Sequence, residues 1–393
     1  MLRRSFRKVH QHDVVFYAPR MTPLLNEGED PSPGGAETQT FLLARELAAQ
    51  GHRVALVVRK TNDRLQDETG RVKIISQAAA HSGPQLFRSA RNAAVTLSTL
   101  WPLDAAVFVQ RAAGRETGLV AVIAKVRRRR FIYSSANVID FEFDRLEPRR
   151  TNVALFHLGV RLADRVVVQT AEQDELCRCR FNRIPIVIKS LAEPAAQRIA
   201  APEALLWIGR LTAYKRPLAF INLARALPEA HFWMVATGEG EVAGRFRREI
   251  EEASQELENL EILAPRSRPQ LARLIERAVA IVNTADYEGM PNVFLEAWSR
   301  GVPALALSHD PDGVIARERL GGYAKGDPDR LVELTRQLWN ERHHQQGLAL
   351  RCRRYTNREH APRVVAARWA VTLGLVRPKA APESEASRHH GLA

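Results

Sequence analysis

The segment Tyr287-Glu288-Gly289-Met290-Pro291-Asn292-Val293-Phe294-Leu295-Glu296-Ala297-Trp298-Ser299-Arg300-Gly301-Val302-Pro303 follows an apolar run, Ala278 to Val282, that reads as a buried strand. Pro291 suits a first helical position, where its missing N–H would go unpaired anyway. Gly301 and Pro303 then stop the helix. The stretch therefore predicts a strand, a loop carrying Glu288, and a helix whose N-terminal amides point back at that loop. A helix end of this kind attracts phosphate. With Glu288 in the loop and Glu296 in the helix, the site suits a ligand that bears both phosphate and sugar hydroxyls.

The same alternation extends through the chain and argues for parallel sheets flanked by helices. In the first half, strands are predicted at Asp13 to Ala18, Arg53 to Val58, Val72 to Ser76, Ala105 to Gln110, Arg130 to Ser134, Arg165 to Gln169 and Ile186 to Lys189. In the second they fall at Leu205 to Gly209, Phe232 to Ala236, Leu260 to Leu263, Ala278 to Asn283 and Ala304 to Leu307. An Ala/Pro-containing stretch up to Pro202 separates the halves, giving an α/β fold of two doubly wound domains, residues 1–190 and 191–376. Ligands of such sheets bind outside the carboxyl ends of the strands. The tail 377–393 has a disordered composition.

At 393 residues, 45% hydrophobic and 26% charged, the chain has the composition of a globular protein with two cores. No apolar run is long enough to span a bilayer, and no apolar signal core follows Met1-Leu2-Arg3-Arg4, so a cytoplasmic protein is expected. Cys177, Cys179 and Cys352 make neither a disulfide framework nor a zinc pattern. The net charge is +14. No RNA or DNA module accompanies it, and no nucleic-acid partner is expected. The densest basic run, Lys125 to Arg130, reads either as a solvated helix end or as a surface resting on anionic lipid.

The Glu-x7-Glu spacing of Glu288 and Glu296 within an EGxPxxxxE frame resembles the signature of family-4 retaining glycosyltransferases (glycosyl transferases group 1), which adopt the GT-B fold. Trp207-Ile208-Gly209-Arg210-Leu211 with Lys215-Arg216-Pro217 resembles that family's donor-phosphate segment, and Gly34-Gly35-Ala36-Glu37 its glycine-rich first loop. The resemblance implies two Rossmann-like domains facing across a cleft, with the last helix, about 361–375, crossing back to the first. It implies that Arg210 and Lys215 meet the leaving pyrophosphate, that Glu288 lies against the transferred sugar, and that Glu296 accepts from the ribose hydroxyls. Gly34, Gly35, Gly209, Gly289, Met290, Pro291, Asn292 and Val293 would line the donor, with no metal and no cofactor beyond the donor substrate. The family histidine after the strand Arg130 to Ser134 is missing; Asn137 or Asp140 could stand in for it.

Each motif also has a plain structural reading. Glu296 could simply pair with Arg300 one turn on, worth a few tenths of a kcal/mol. Arg210 and Lys215 could be exposed residues flanking a turn, and Pro31 to Glu37 a tight turn with Glu37 at a helix start. Gly238-Glu239-Gly240-Glu241-Val242-Ala243-Gly244 imitates a dinucleotide loop, but its glutamates would repel a pyrophosphate, so it is assigned a turn. The implied function is transfer of a hexose, with retention, from a nucleoside diphosphate sugar to a glycan or lipid-linked acceptor in surface polysaccharide biosynthesis, at the cytoplasmic membrane face. A nucleotide-sugar epimerase and a non-catalytic basic binder of nucleic acid or anionic glycan remain as alternatives.

Overall fold

Short runs of Val, Ile, Leu, Phe and Ala between turn residues become parallel strands buried on both faces. The computed structural model describes residues 10–21, 34–59, 70–78, 85–196, 200–238 and 240–375. The tail 377–393 and the loop residues Asn26, Gly28 and Asp30 lie outside them.

The first sheet holds β1 (His12–Tyr17), β2 (Val54–Arg59), β3 (Lys73–Gln77), β4 (Ala105–Arg111), β5 (Arg130–Ser134), β6 (Arg165–Val168) and β7 (Ile186–Val187). Its order is β3-β2-β1-β4-β5-β6-β7, parallel throughout. The second holds β8 (Ala204–Arg210), β9 (Phe232–Thr237), β10 (Leu260–Leu263), β11 (Ala278–Asn283), β12 (Ala304–Ala306) and β13 (Gly321–Tyr323). Its order is β10-β9-β8-β11-β12-β13, again parallel. The strand order reverses between β1 and β4 in one sheet and between β8 and β11 in the other. These are the two switch points where a crevice opens.

Helices α1 (Gly35–Ala49), α2 (Gln85–Leu100), α3 (Arg115–Val126), α4 (Arg150–Leu162) and α5 (Ala171–Phe181) accompany the first sheet. Helices α6 (Pro217–Ala226), α7 (Glu241–Ser254), α8 (Arg268–Glu276), α9 (Asn292–Arg300), α10 (Pro328–Asn340) and α11 (Gln346–Glu359) accompany the second. Each sheet has an apolar core on both faces. This is the GT-B plan of two Rossmann-like domains.

Helix α12 (Pro362–Leu373) leaves the second domain and buries Val365, Ala366, Trp369 and Leu373 in the core of β1, β2 and α1. The chain thus passes between domains at 188–192 and again near His360, and the two passages are bonded together. His360 Nδ1 donates to Ser190 O at 2.7 Å, Tyr355 Oη donates to His360 Nε2 at 3.1 Å, and Ala192 N donates to His360 O at 2.9 Å. Burial pulls this imidazole down to about 4, so it is neutral at physiological pH, as one donor and one acceptor nitrogen require. Lys189 and Glu359 add an ion pair of 2.6 Å beside it.

Helices α3 and α4 touch backbone to backbone through two glycines. A Cβ on Gly118 would lie 2.2 Å from Leu155 O, and one on Gly159 2.5 Å from the carbonyl carbon of Thr117. Gly inside a helix costs about 1 kcal/mol against Ala, and the close approach offsets that cost. We expect Gly159→Val to force the helices apart and destabilise the protein by about 2 kcal/mol or more. Chemical denaturation checks this: a loss under about 0.5 kcal/mol, the scatter of an ordinary surface change, would refute the contact.

Candidate active site

At the second sheet's switch point, the loop after β8 is tied to the loop after β11. Trp207 Nε1 donates to Thr284 Oγ1 at 3.0 Å, which donates on to Lys215 O at 2.6 Å. Asp286 N donates to Tyr214 O at 2.8 Å, and the rings of Tyr214 and Tyr287 stack at 4.8 Å, 12° from parallel. Arg216, in the left-handed region at φ 47°, reaches Asp286 at 3.2 Å and Ser308 at 3.3 Å. These ties bring Lys215 Nζ into close contact with Glu288 Oε1. Glu288 is buried. Arg210, the last residue of β8, is exposed and makes no side-chain hydrogen bond or ion pair among the described residues.

Helix α9 follows this loop, but it starts one residue later than the spacing predicts. Pro291 is the N-cap, extended at φ −61° and ψ 122°, and Asn292 is the first helical residue. The proline ring fixes only φ, at a value both positions share, so ψ decides. The consequence is useful: the N–H groups of Asn292 and Val293 have no partner within the helix. Met290 and Pro291 have buried side chains, and Val293 packs on the second domain's core. Any ligand contact made by Met290 or Pro291 is therefore through backbone.

Glu296 does not pair with Arg300 as the i,i+4 spacing suggests. Arg300 Nε lies 3.4 Å from Glu276, and Arg300 Nη1 donates instead to the backbone O of Glu296 at 3.0 Å. The Glu296 carboxylate makes no hydrogen bond or ion pair among the described residues. Burial pushes its pKa up, against the pull of Arg268 and Arg300, with Glu193 pushing further. An ionisable acceptor with open lone pairs results.

The first domain closes over this site. Asn292 Nδ2 donates to Gly35 O at 3.0 Å, and Gln39 Nε2 donates to Asn292 Oδ1 at 3.1 Å. A Cβ on Gly35 would sit 3.0 Å from Asn292 Nδ2, and one on Gly34 2.4 Å from Glu37 Oε2. One on Gly289 would lie 2.8 Å from Ala136 O and 2.9 Å from Gln173 Nε2. Gly289 therefore admits the opposite domain, beyond the ligand approach expected of it. Gly209 answers to Trp207, whose indole would meet a Cβ at 2.8 Å.

Asn137 and Asp140 form a capping box on their own turn. Asp140 accepts from Ala136 N at 2.6 Å and from Tyr133 Oη at 3.3 Å. Asp140, a candidate for the missing histidine's role, is thus engaged on its own turn, and the Asn137 side-chain oxygen accepts from Ile139 N at 3.3 Å. Of the stretch 238–244, Gly238 and Gly240 have positive φ, and residues from Glu241 on form the first turn of α7, so only its start is a turn. In the basic run, Lys125 pairs with Asp164 at 2.7 Å, and Arg129 with Asp104 at 2.9 Å. Arg127 donates to the O of Leu100 and Leu103, and Arg130 to the O of Thr372 and Leu373. Arg128 is exposed. Among the described residues, all of its basic residues except Arg128 thus have internal partners.

Sequence reasoning missed Gln39, Gln173 and His309, whose Nε2 donates to Gly289 O at 3.3 Å. His309 follows β12 closely, so the rule that ligands sit beyond strand ends could have marked it. Gln39, in mid-helix, carries no local signal.

Residues 34–191 match the glycosyl transferase 4-like domain, and residues 202–341 match glycosyl transferases group 1. The chain belongs to the group 1 glycosyltransferases. This glycosyltransferase is 27% identical over 116 residues to Glycosyltransferase 1 domain-containing protein 1 of Xenopus tropicalis, a match spanning 30% of this chain and 34% of that protein. Sucrose-phosphate synthase from Thermosynechococcus elongatus shares its fold at a TM-score of 0.73 and 14% identity, over 92% of this chain and 98% of that one. Anabaena HepE, solved with UDP and glucose, does so at 0.71 and 14%, over 93% and 100%. Among the described residues no helix is long and apolar enough to cross a membrane, and no cluster of three or more His, Cys, Asp or Glu is arranged to hold a metal ion.

Proposed function

We propose that this glycosyltransferase moves a hexose, with retention, from a nucleoside diphosphate sugar to a glycan or lipid-linked acceptor in surface polysaccharide synthesis. The observation that supports the reading is the contact of Lys215 with Glu288, just before the N-terminus of α9, at the switch point where β8 ends in Arg210. The departing diphosphate gains charge as its bond to the sugar breaks. Arg210, Lys215 and the amides of Asn292 and Val293 stabilise that charge where it develops. In this proposal no metal is needed there.

In this structure Lys215 holds Glu288. Donor binding would exchange that contact: phosphate takes the ammonium, and a hydroxyl of the transferred sugar donates to the released carboxylate. Glu296 accepts from the ribose. The acceptor attacks the face that the diphosphate leaves, and a phosphate oxygen takes its proton, so the configuration is kept. The protein supplies position and charge rather than a covalent nucleophile. Any membrane contact made to reach a lipid-linked acceptor would rest on groups other than the engaged cations of 125–130.

Thermal unfolding against UDP, GDP, CDP, ADP and NAD tests the reading. UDP comes first, because HepE holds it. One nucleoside diphosphate at 100 times its dissociation constant should stabilise by about 2.7 kcal/mol, a shift of several degrees. A shift with NAD alone, or with no nucleotide, would overturn it.

A further inference from the structure

The first sheet has a switch point of its own, between β1 and β4, and a cation stands there that the donor chemistry does not use. Arg111 is the last residue of β4. Val107 and Val109 pack with α1, so alternation along the strand sets Arg111 on that same face, at the cleft end of the sheet. Its Nη1 donates to Ser134 Oγ at 3.3 Å, and its Nε is buried without a partner. No carboxylate lies within ion-pair distance among the described residues; Asp140 and Glu37 act on it from farther away. Asp140 is turned onto the backbone of Ala136 and Asn137. Burial draws the guanidinium down to about 10, which leaves it cationic at neutral pH.

The next residue is strained. Ala112 sits at φ 70°, where an L-residue other than Gly, Asn or Asp is uncommon. Gln110 holds it there: its Nε2 donates to both Arg111 O and Ala112 O at 2.8 Å, while its Oε1 accepts from Thr117 Oγ1 at 2.8 Å. Ala112 N donates to Ser134 O at 3.0 Å. A half-buried charge without a counter-ion is costly, and strained backbone persists where the surroundings fix it at a working site. The donor phosphates already have their cations on the opposite sheet.

We infer that Arg111 is an acceptor-side anion site, binding the carboxylate or phosphate of a negatively charged acceptor sugar. The inference rests on the glycosyltransferase reading above. The guanidinium offers a planar fork suited to either anion.

The test titrates the protein, free and saturated with its nucleoside diphosphate, with glucuronate, glucose 6-phosphate and methyl glucoside. One of the two anionic sugars should bind about tenfold or more tightly than the neutral one, and which one names the anion. Arg111→Gln should remove that preference and keep nucleotide binding, and Arg111→Lys should restore part of it. Equal binding of all three sugars by the wild type would overturn the inference whatever the variants do. So would a folded Arg111→Gln protein that keeps the preference, or one that loses nucleotide and anion together, since Arg111 would then belong to the donor site. Absence of nucleotide binding in the wild type would instead defeat the donor reading, and the titration of the free protein would still decide on Arg111.

Discussion

Arg210→Ala is expected to lower turnover by about a hundredfold or more while leaving thermal stability unchanged. In the proposed mechanism the variant loses a fixed positive charge from the place where the leaving diphosphate would gain negative charge, and losses of this size attend the removal of one such group. Stability is spared because the Arg210 side chain is exposed and makes no hydrogen bond or ion pair among the described residues. Lys215→Ala should lose turnover comparably, but with a second effect. It strips the counter-ion from Glu288, a buried carboxylate, and leaving such a group unmatched costs about 1–3 kcal/mol. The double variant Lys215→Met/Glu288→Gln removes the orphaned charge, so it should regain stability without regaining turnover. Steady-state kinetics read beside melting curves separate the two residues. An Arg210→Ala enzyme within a factor of a few of wild type would end the proposed role.

That difference between two neighbouring cations could not be read from the sequence, which offered both as free. The strands could be, because β8 and β11 are buried on both faces and appear as continuous apolar runs. Strand β13 escaped for the opposite reason. It reads Gly321-Gly322-Tyr323, and glycine normally argues against a strand. Here Gly321 lies at φ 147°, and a Cβ on it would fall 1.8 Å from Ala304 O. The glycine is what lets the strand approach its neighbour.

The loop and helix carrying Glu288 and Glu296, the proposed donor segment, could be read for a different reason: Glu288, Gly289, Pro291 and Glu296 are near one another in the chain, so their spacing alone places them on one loop and helix. The closure over that loop was not. Gln39 grips Asn292 from 253 positions away, and nothing local to either residue announces it. The internal partners of the basic run were hidden in the same way. Charge density is visible in sequence, but whether each cation already has an internal acceptor is a property of the fold.

Glu296→Gln should weaken nucleoside diphosphate binding yet stabilise the empty protein at neutral pH. Burial raises this carboxyl's pKa in the folded state above its unfolded value. Between the two values the native protein holds a proton that the unfolded chain has released, so stability falls as pH rises through that window and stays lower above it. The amide carries no charge and escapes this cost. Its melting temperature should exceed that of wild type at pH 7–8, with the gap closing as the pH drops below the ordinary glutamate range. Binding runs the other way. In the proposed donor complex the ribose hydroxyls would donate to an ionised carboxylate, and a charged hydrogen-bond pair is worth about 1.5–3 kcal/mol, so the variant should lose roughly ten- to a hundredfold in affinity. Wild-type affinity should also decline as pH falls through the raised pKa, whereas that of the variant should not. Melting curves of both proteins, with and without the nucleotide across this range, give all four quantities. A variant that binds nucleotide as wild type does would remove Glu296 from the ribose. One that binds poorly but melts lower when empty would mean that the carboxylate is ordinarily satisfied. The opposed signs are expected because a site that must accept hydrogen bonds from its ligand has to keep its acceptor unsatisfied until that ligand arrives.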